Sequence, residues 1–169
     1  MRLVGSNRSA RLVLLLAGAV AACLVALVPA QAASNSVPIT IRLSGMAAFT
    51  GPTTVEFNGG GEATHMGRVV NHGVALIGTP VPTCPGGVLG LPNVHTETIT
   101  AANGDKLVLR MLNLACPTGE NTYHGTGTWT VIDGSGRFEG TTGAGTCDGH
   151  ADFAAQTFAC TLTGVIRYA

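Results

Sequence analysis

Asp148, His150 and Asp152 stand at i, i+2 and i+4, so a β-strand would project all three from one face. Two carboxylates and an imidazole could ligate a cation there. That face is opposite the one carrying Cys147 and Phe153, so the expectation is a solvated hairpin end and no metal site. Tyr123, Trp129 and His65 are the candidates for contact with a ligand. Tyr123 and Trp129 share one face of an alternating stretch; their structural alternative is plain core packing, since aromatics supply much of any core. His65 lies between Ala63 and Gly67 among small residues, where an imidazole could act as a general base or could simply bond backbone. Glu56, Glu62, Glu97 and Asp133 offer possible carboxylate pairs. Acid/base work requires hydrogen-bond reach, which sequence alone does not give, so no catalytic residue is assigned. Ser135 sits in D-G-S-G-R, which is not the G-x-S-x-G elbow, and no helix follows it. Gly61, Gly67, Gly134 and Gly136 lack the Lys-Ser/Thr and the strand-to-helix context of a phosphate loop. No cofactor is implied.

The elements that would position these residues are strands. From Tyr123 to Val131 the chain alternates Tyr, Gly, Gly, Trp and Val with His and Thr, the period of a strand with one buried and one wet face. Asp133-Gly134-Ser135-Gly136 is turn chemistry. Val37 to Leu43 alternates with Ile39, Ile41 and Leu43 inward. Thr53 to Phe57 is a short segment ended by Asn58 and three glycines. Residues 61–70 read as one strand, and Asn71-His72-Gly73 as a turn. Thr79 to Pro92 holds four prolines and three glycines, which marks a loop. Asn103-Gly104 between Val94–Ala101 and Lys106–Leu114 is a hairpin signal. Thr141–Phe153 and Thr157–Tyr168 form the last pair. Seven or eight strand signals fall in about 137 residues and predict an all-β domain that hides its edges by closing or by stacking two sheets.

The N-terminus reads as an address. Arg2, Arg8 and Arg11 precede an apolar run over residues 12–28, followed by Pro29-Ala30-Gln31-Ala32-Ala33-Ser34. This predicts a signal peptide over residues 1–32, cleaved after Ala32, and a secreted domain over residues 33–169. The alternatives are an uncleaved membrane anchor and a lipid anchor at Cys23 in Val20-Ala21-Ala22-Cys23; the apolar Leu24–Val28 that follows argues against the latter. Without the three arginines, six Lys+Arg face nine Asp+Glu, which leaves no basic footprint for nucleic acid. Export implies an oxidising setting. Cys84, Cys116, Cys147 and Cys160 then allow three connectivities. The expected pairs are Cys84–Cys116, which share a Cys-Pro setting, and Cys147–Cys160, which fall on one face of the final hairpin. No zinc-type spacing is present.

Three segments carry a family resemblance: Gly61-Glu62-Ala63-Thr64-His65-Met66-Gly67, Thr100-Ala101-Ala102-Asn103-Gly104-Asp105, and Asp133-Gly134-Ser135-Gly136-Arg137-Phe138-Glu139-Gly140-Thr141-Thr142-Gly143. Over residues 37–169 the chain resembles secreted bacterial proteins similar to the barrels of plant allene oxide cyclases and dirigent proteins. The last segment is similar to the dirigent G-x-G-x-F-x-x-A-x-G hairpin. The resemblance implies a single antiparallel β-barrel of about eight strands, calycin-like, with a central cavity and no cofactor. The matching positions are turn glycines and strand residues, so no catalytic residue carries over. Cys84 and Cys116 with their proline-rich loop depart from the family pattern. The expected function is binding of a small apolar molecule or service as an extracellular interaction module. A cofactor-free cyclase or isomerase is the alternative.

Overall fold

The structure, a computed structural model, describes residues 36–169; the expected signal peptide and Cys23 lie outside the described residues. Eight strands follow in order: β1 (Ser36–Phe49), β2 (Thr54–Ala63), β3 (Gly67–Ile77), β4 (Leu91–Ala101), β5 (Lys106–Gly119), β6 (Thr122–Ser135), β7 (Thr142–Asp152) and β8 (Thr157–Arg167). Each pairs antiparallel with the next, and β8 returns to β1, so the sheet is a closed barrel. Of the two ways to hide strand edges that the sequence allows, the structure shows closure, in the eight-stranded antiparallel barrel that the resemblance implies. Closure leaves no strand edge unpaired. Along each strand inward and outward residues alternate, and in β1 the buried Ile39, Ile41 and Leu43 are the apolar phase of the sequence pattern.

Turns sit where backbone chemistry permits them. At Asn103-Gly104 the glycine adopts φ 90°, and the Asn103 side chain bonds Asp105. Elsewhere the boundaries differ from expectation. The glycine run 59–61 lies inside β2, and Asn71-His72-Gly73 lies inside β3, because both are held by a continuous β2–β3 ladder from Thr54–Leu76 to Ala63–Gly67. The expected strand over residues 61–70 is broken at Thr64–Met66, which is the β2–β3 turn.

The two ends of the barrel differ. The chain enters and leaves at the floor, where a 3-10 turn (Gly136–Phe138) drives Phe138 fully inside. The mouth carries the long loop over residues 78–90, tied to β5 by the expected Cys84–Cys116 disulfide with Cα atoms 5.7 Å apart. Closing a loop of 32 residues stabilises the fold by about 3–4 kcal/mol in the chain-entropy model. On the outer wall Leu76, Val94 and Leu112 are register neighbours on β3, β4 and β5 and form an exposed apolar row.

The floor half is filled by Ile39, Ile41, Leu43, Ile99, Leu107, Leu109, Trp129, Leu162 and Ile166. Each such side chain stabilises the fold by about 1.5–3 kcal/mol when fully buried. Trp129, 1% exposed, is the largest of them. Its Nε1 donates to the Thr146 carbonyl at 3.1 Å, so the one polar atom is satisfied. Gly145 on β7 and Gly164 on β8 are directly paired, and a Cβ on either would stand 2.6 Å from the indole ring. The indole therefore occupies the space of two missing side chains. Gly164→Ala is expected to lower stability by about 1–3 kcal/mol through overpacking. Gly125→Ala, whose methyl would find only the Gly149 carbonyl at 4.0 Å, should stay within about 0.5 kcal/mol of wild type. Urea unfolding midpoints check both; equal midpoints for the two variants would contradict this packing.

Candidate functional site

Towards the mouth the inward residues become small. Ala75 on β3, Ala115 on β5, Gly125 on β6, and Gly149 and Ala151 on β7 leave space that larger side chains fill at the floor. The result is a cavity of about 120 Å³. One water needs only about 10–15 Å³ measured in the same way, so the space admits a group of ring size. Aromatic rings rim it. Phe57 meets Phe158 edge-on at 5.2 Å, and Phe153 contacts both Tyr123 at 5.7 Å and Phe49 at 4.7 Å.

One wall of this apolar chamber is polar. On β4 the alternation that points Ile99 and Ala101 inward does the same for His95 and Glu97. His95 is 7% exposed and Glu97 1%. His95 Nε2 lies 2.8 Å from Glu97 Oε2, and Asn71 on β3 donates from Nδ2 to Glu97 Oε1 at 2.8 Å. The imidazole and carboxylate are in contact, yet Nε2 has no hydrogen-bond partner among the described residues. Asn71 Oδ1 also has no partner. Phe57 stacks on the His95 ring with centroids 4.7 Å apart. Gly73 faces Glu97 across the β3–β4 ladder; a Cβ there would collide with both Glu97 Oε2 and His95 Nε2. The pair thus occupies the volume that glycine leaves free. Among the described residues no Lys or Arg forms an ion pair with Glu97, and burying a carboxylate is costly unless it is paired and hydrogen-bonded.

Two thiols complete the wall, and they correct an expectation. Cys147 and Cys160 both point into the cavity but are not bridged. The β7–β8 register sets Cys147 opposite Leu162 and Cys160 opposite Gly149. The two cysteines are therefore diagonal neighbours, roughly 7–8 Å apart at Cα, beyond the usual disulfide span. Across the gap left by Gly127, Cys147 Sγ instead donates to Asn113 Oδ1 at 2.8 Å. Burial, reinforced by Asp148, raises the Cys147 pKa to about 11. Burial, with Glu97 and then Cys147 adding to it against a backbone hydrogen bond at Leu43, raises that of Cys160 to about 12. Thiols held protonated at neutral pH are poor nucleophiles.

Of the ligand candidates read from sequence, Tyr123 lines the cavity. Trp129 belongs to the packed core beneath it and is not part of the lining. His65 requires correction: it is exposed in the β2–β3 turn at φ 67°, and Nε2 donates to the Pro38 carbonyl at 3.0 Å at the far end of the barrel. The expected alternation failed there because the chain turns one residue before it. Asp148 and His150 are on the outer face as expected, while Asp152 Oδ1 accepts from the backbone of Ala154 and Ala155 at 2.9 Å in the β7–β8 turn. His95 and Asn71 were missed. The apolar phase of Val94–Ala101 was the signal that could have found His95 beside Glu97.

Unreduced protein is expected to release two titratable thiols on unfolding and to react slowly at both while folded. Below the ordinary thiol value of 9.0 neither state ionises. Above it the unfolded chain loses protons that the folded chain keeps, so stability should fall as pH rises from 9 towards 11 and 12. Replacing both cysteines with serine should remove that decline. Absence of any thiol in denaturant would show a bridge instead.

No family model, curated protein or solved structure matches this chain, so the chemistry of the cavity rests on its own residues.

Proposed function

We propose that this chain is a secreted barrel that binds one small, largely apolar molecule in the mouth cavity and directs a polar group of that molecule at the His95–Glu97 pair. The carrying observation is that buried pair, facing a cavity whose walls include the apolar Val55, Phe57, Ile77, Met111 and Phe158. Small-molecule sites combine apolar walls with a few placed polar groups in this way. Asn71 fixes the carboxylate from beneath. The disulfide-tied loop at the mouth suits an oxidising compartment. The resemblance to allene oxide cyclase and dirigent barrels points to the same use of the interior.

The second reading is a cofactor-free cyclase or isomerase. The observation that favours it is the 2.8 Å contact itself, since a carboxyl and an imidazole within hydrogen-bond reach can pass a proton to and from a confined substrate.

Incubating the purified chain with a lipid and phenolic extract, separating it by gel filtration and weighing what organic solvent releases tests both readings. A compound bound and released unchanged is the expected result, and Glu97→Gln should weaken its retention by roughly tenfold or more, the cost of losing one charged hydrogen-bond partner. Release of an altered compound favours the enzyme; Glu97→Gln should then cost roughly 10²–10⁴-fold in conversion while binding persists. Nothing retained by wild-type protein would overturn both readings. The extracellular interaction module would then remain, with the exposed row Leu76, Val94 and Leu112 as its surface.

A further inference from the structure

We propose that His124, Asp148 and His150 form a binding site for a divalent transition-metal ion on the outer face of the barrel wall, behind the β7 backbone that lines the cavity. His124 on β6 and His150 on β7 are directly opposite each other in the ladder, with ring centroids 4.6 Å apart and planes 20° from parallel. Asp148 lies two residues before His150 on the same outward face, and its Oδ2 is 2.9 Å from His124 Nε2. One donor atom from each residue lies within 4.8 Å of the others. A tetrahedral centre with bonds of roughly 2.0–2.2 Å requires donors about 3.3–3.6 Å apart. Side-chain rotation by the exposed Asp148 and His150 and the half-buried His124 would close the remaining distance.

The chemistry of the donors selects the ion. Two imidazoles with one carboxylate suit zinc, copper or nickel better than the all-oxygen preference of calcium or magnesium. Copper(II) should bind most tightly by the general order of divalent affinities. The thiols of Cys147 and Cys160 point to the inside of the wall and do not compete. The register neighbours that flank the site are uncharged: Thr126 and Thr161 beside Asp148, Ala159 beside His150, and the disulfide-bonded Cys116 beside His124. Arg42, one strand beyond Thr161, makes no ion pair with Asp148 among the described residues. Three donors from one nearly flat face hold an ion from a single side, so its outward positions stay open to water or an external donor. Scanning β7 alone groups Asp148 and His150 with Asp152; pairing the strands replaces Asp152 with His124.

The test is calorimetric titration of the purified, tag-free chain with Cu²⁺ and with Zn²⁺. One ion per chain is expected, with Cu²⁺ the tighter and with imidazole nitrogen couplings in its electron paramagnetic resonance spectrum. His124→Ala and His150→Ala should each weaken binding by roughly tenfold or more. His72→Ala, an outward histidine on β3 bonded to Asn58, should leave it unchanged. All are surface substitutions, and an unaltered melting curve in the absence of metal confirms that each variant is folded. No stoichiometric binding, unchanged affinity in both His124→Ala and His150→Ala, or a thiolate-to-metal charge-transfer band with Co²⁺ would each overturn the proposal.

Discussion

Pairing of β1 with β8, from Ser36–Arg167 to Met46–Thr157, turns a row of strands into a cylinder. Every other property follows from that closure. It leaves one continuous inner face, and a slip of one residue in any strand would turn that strand's apolar set outward. It also fixes the interior diameter, because eight strands enclose a space that side chains can just fill or that can hold one small ligand. Which of these occurs depends only on side-chain size along the axis.

This barrel does both. At the floor, Trp129 lies in the space left by Gly145 and Gly164, and Phe138 closes the end. At the mouth, alanines and glycines leave a chamber that Phe57, Phe153, Phe158 and Tyr123 border. The floor supplies most of the burial that stabilises the domain. That stability tolerates a costly feature higher up: His95 and Glu97 in contact inside an apolar wall, with Asn71 braced beneath and Gly73 cleared to admit them. Replacing such a group with a hydrophobic side chain would often be neutral or stabilising, which is why its presence argues for use.

Period-two alternation made much of the fold legible. Tyr123–Val131 and Val37–Leu43 each revealed their inward face through that alternation, the Asn103-Gly104 turn followed from a local rule, and Cys84–Cys116 is the expected bridge. What alternation cannot give is stagger. Cys147 and Cys160 have the right phase, but lie one diagonal apart. His124 meets Asp148 and His150 only because β6 lies beside β7 in one particular register. Glycine misled twice in the same way: the positions that suggest breaks, 59–61 and Gly73, are places where neighbouring backbone or a buried pair comes close within an unbroken ladder. The candidate site was half visible. Tyr123 was found from the strand pattern, whereas Glu97 was only one of four carboxylates until its neighbours were known.

Since Ser36 is hydrogen-bonded to the strand that ends in Arg167, both termini of the barrel emerge together at the closed end. A reporter or resin coupled after Ala169 would therefore leave the opening unobstructed. The same adjacency makes the order of the strands separable from their arrangement. A short linker could join the old ends, and a new start placed in the loop over residues 78–90 would give a circularly permuted chain with the same cylinder, in which the disulfide anchors the new terminus.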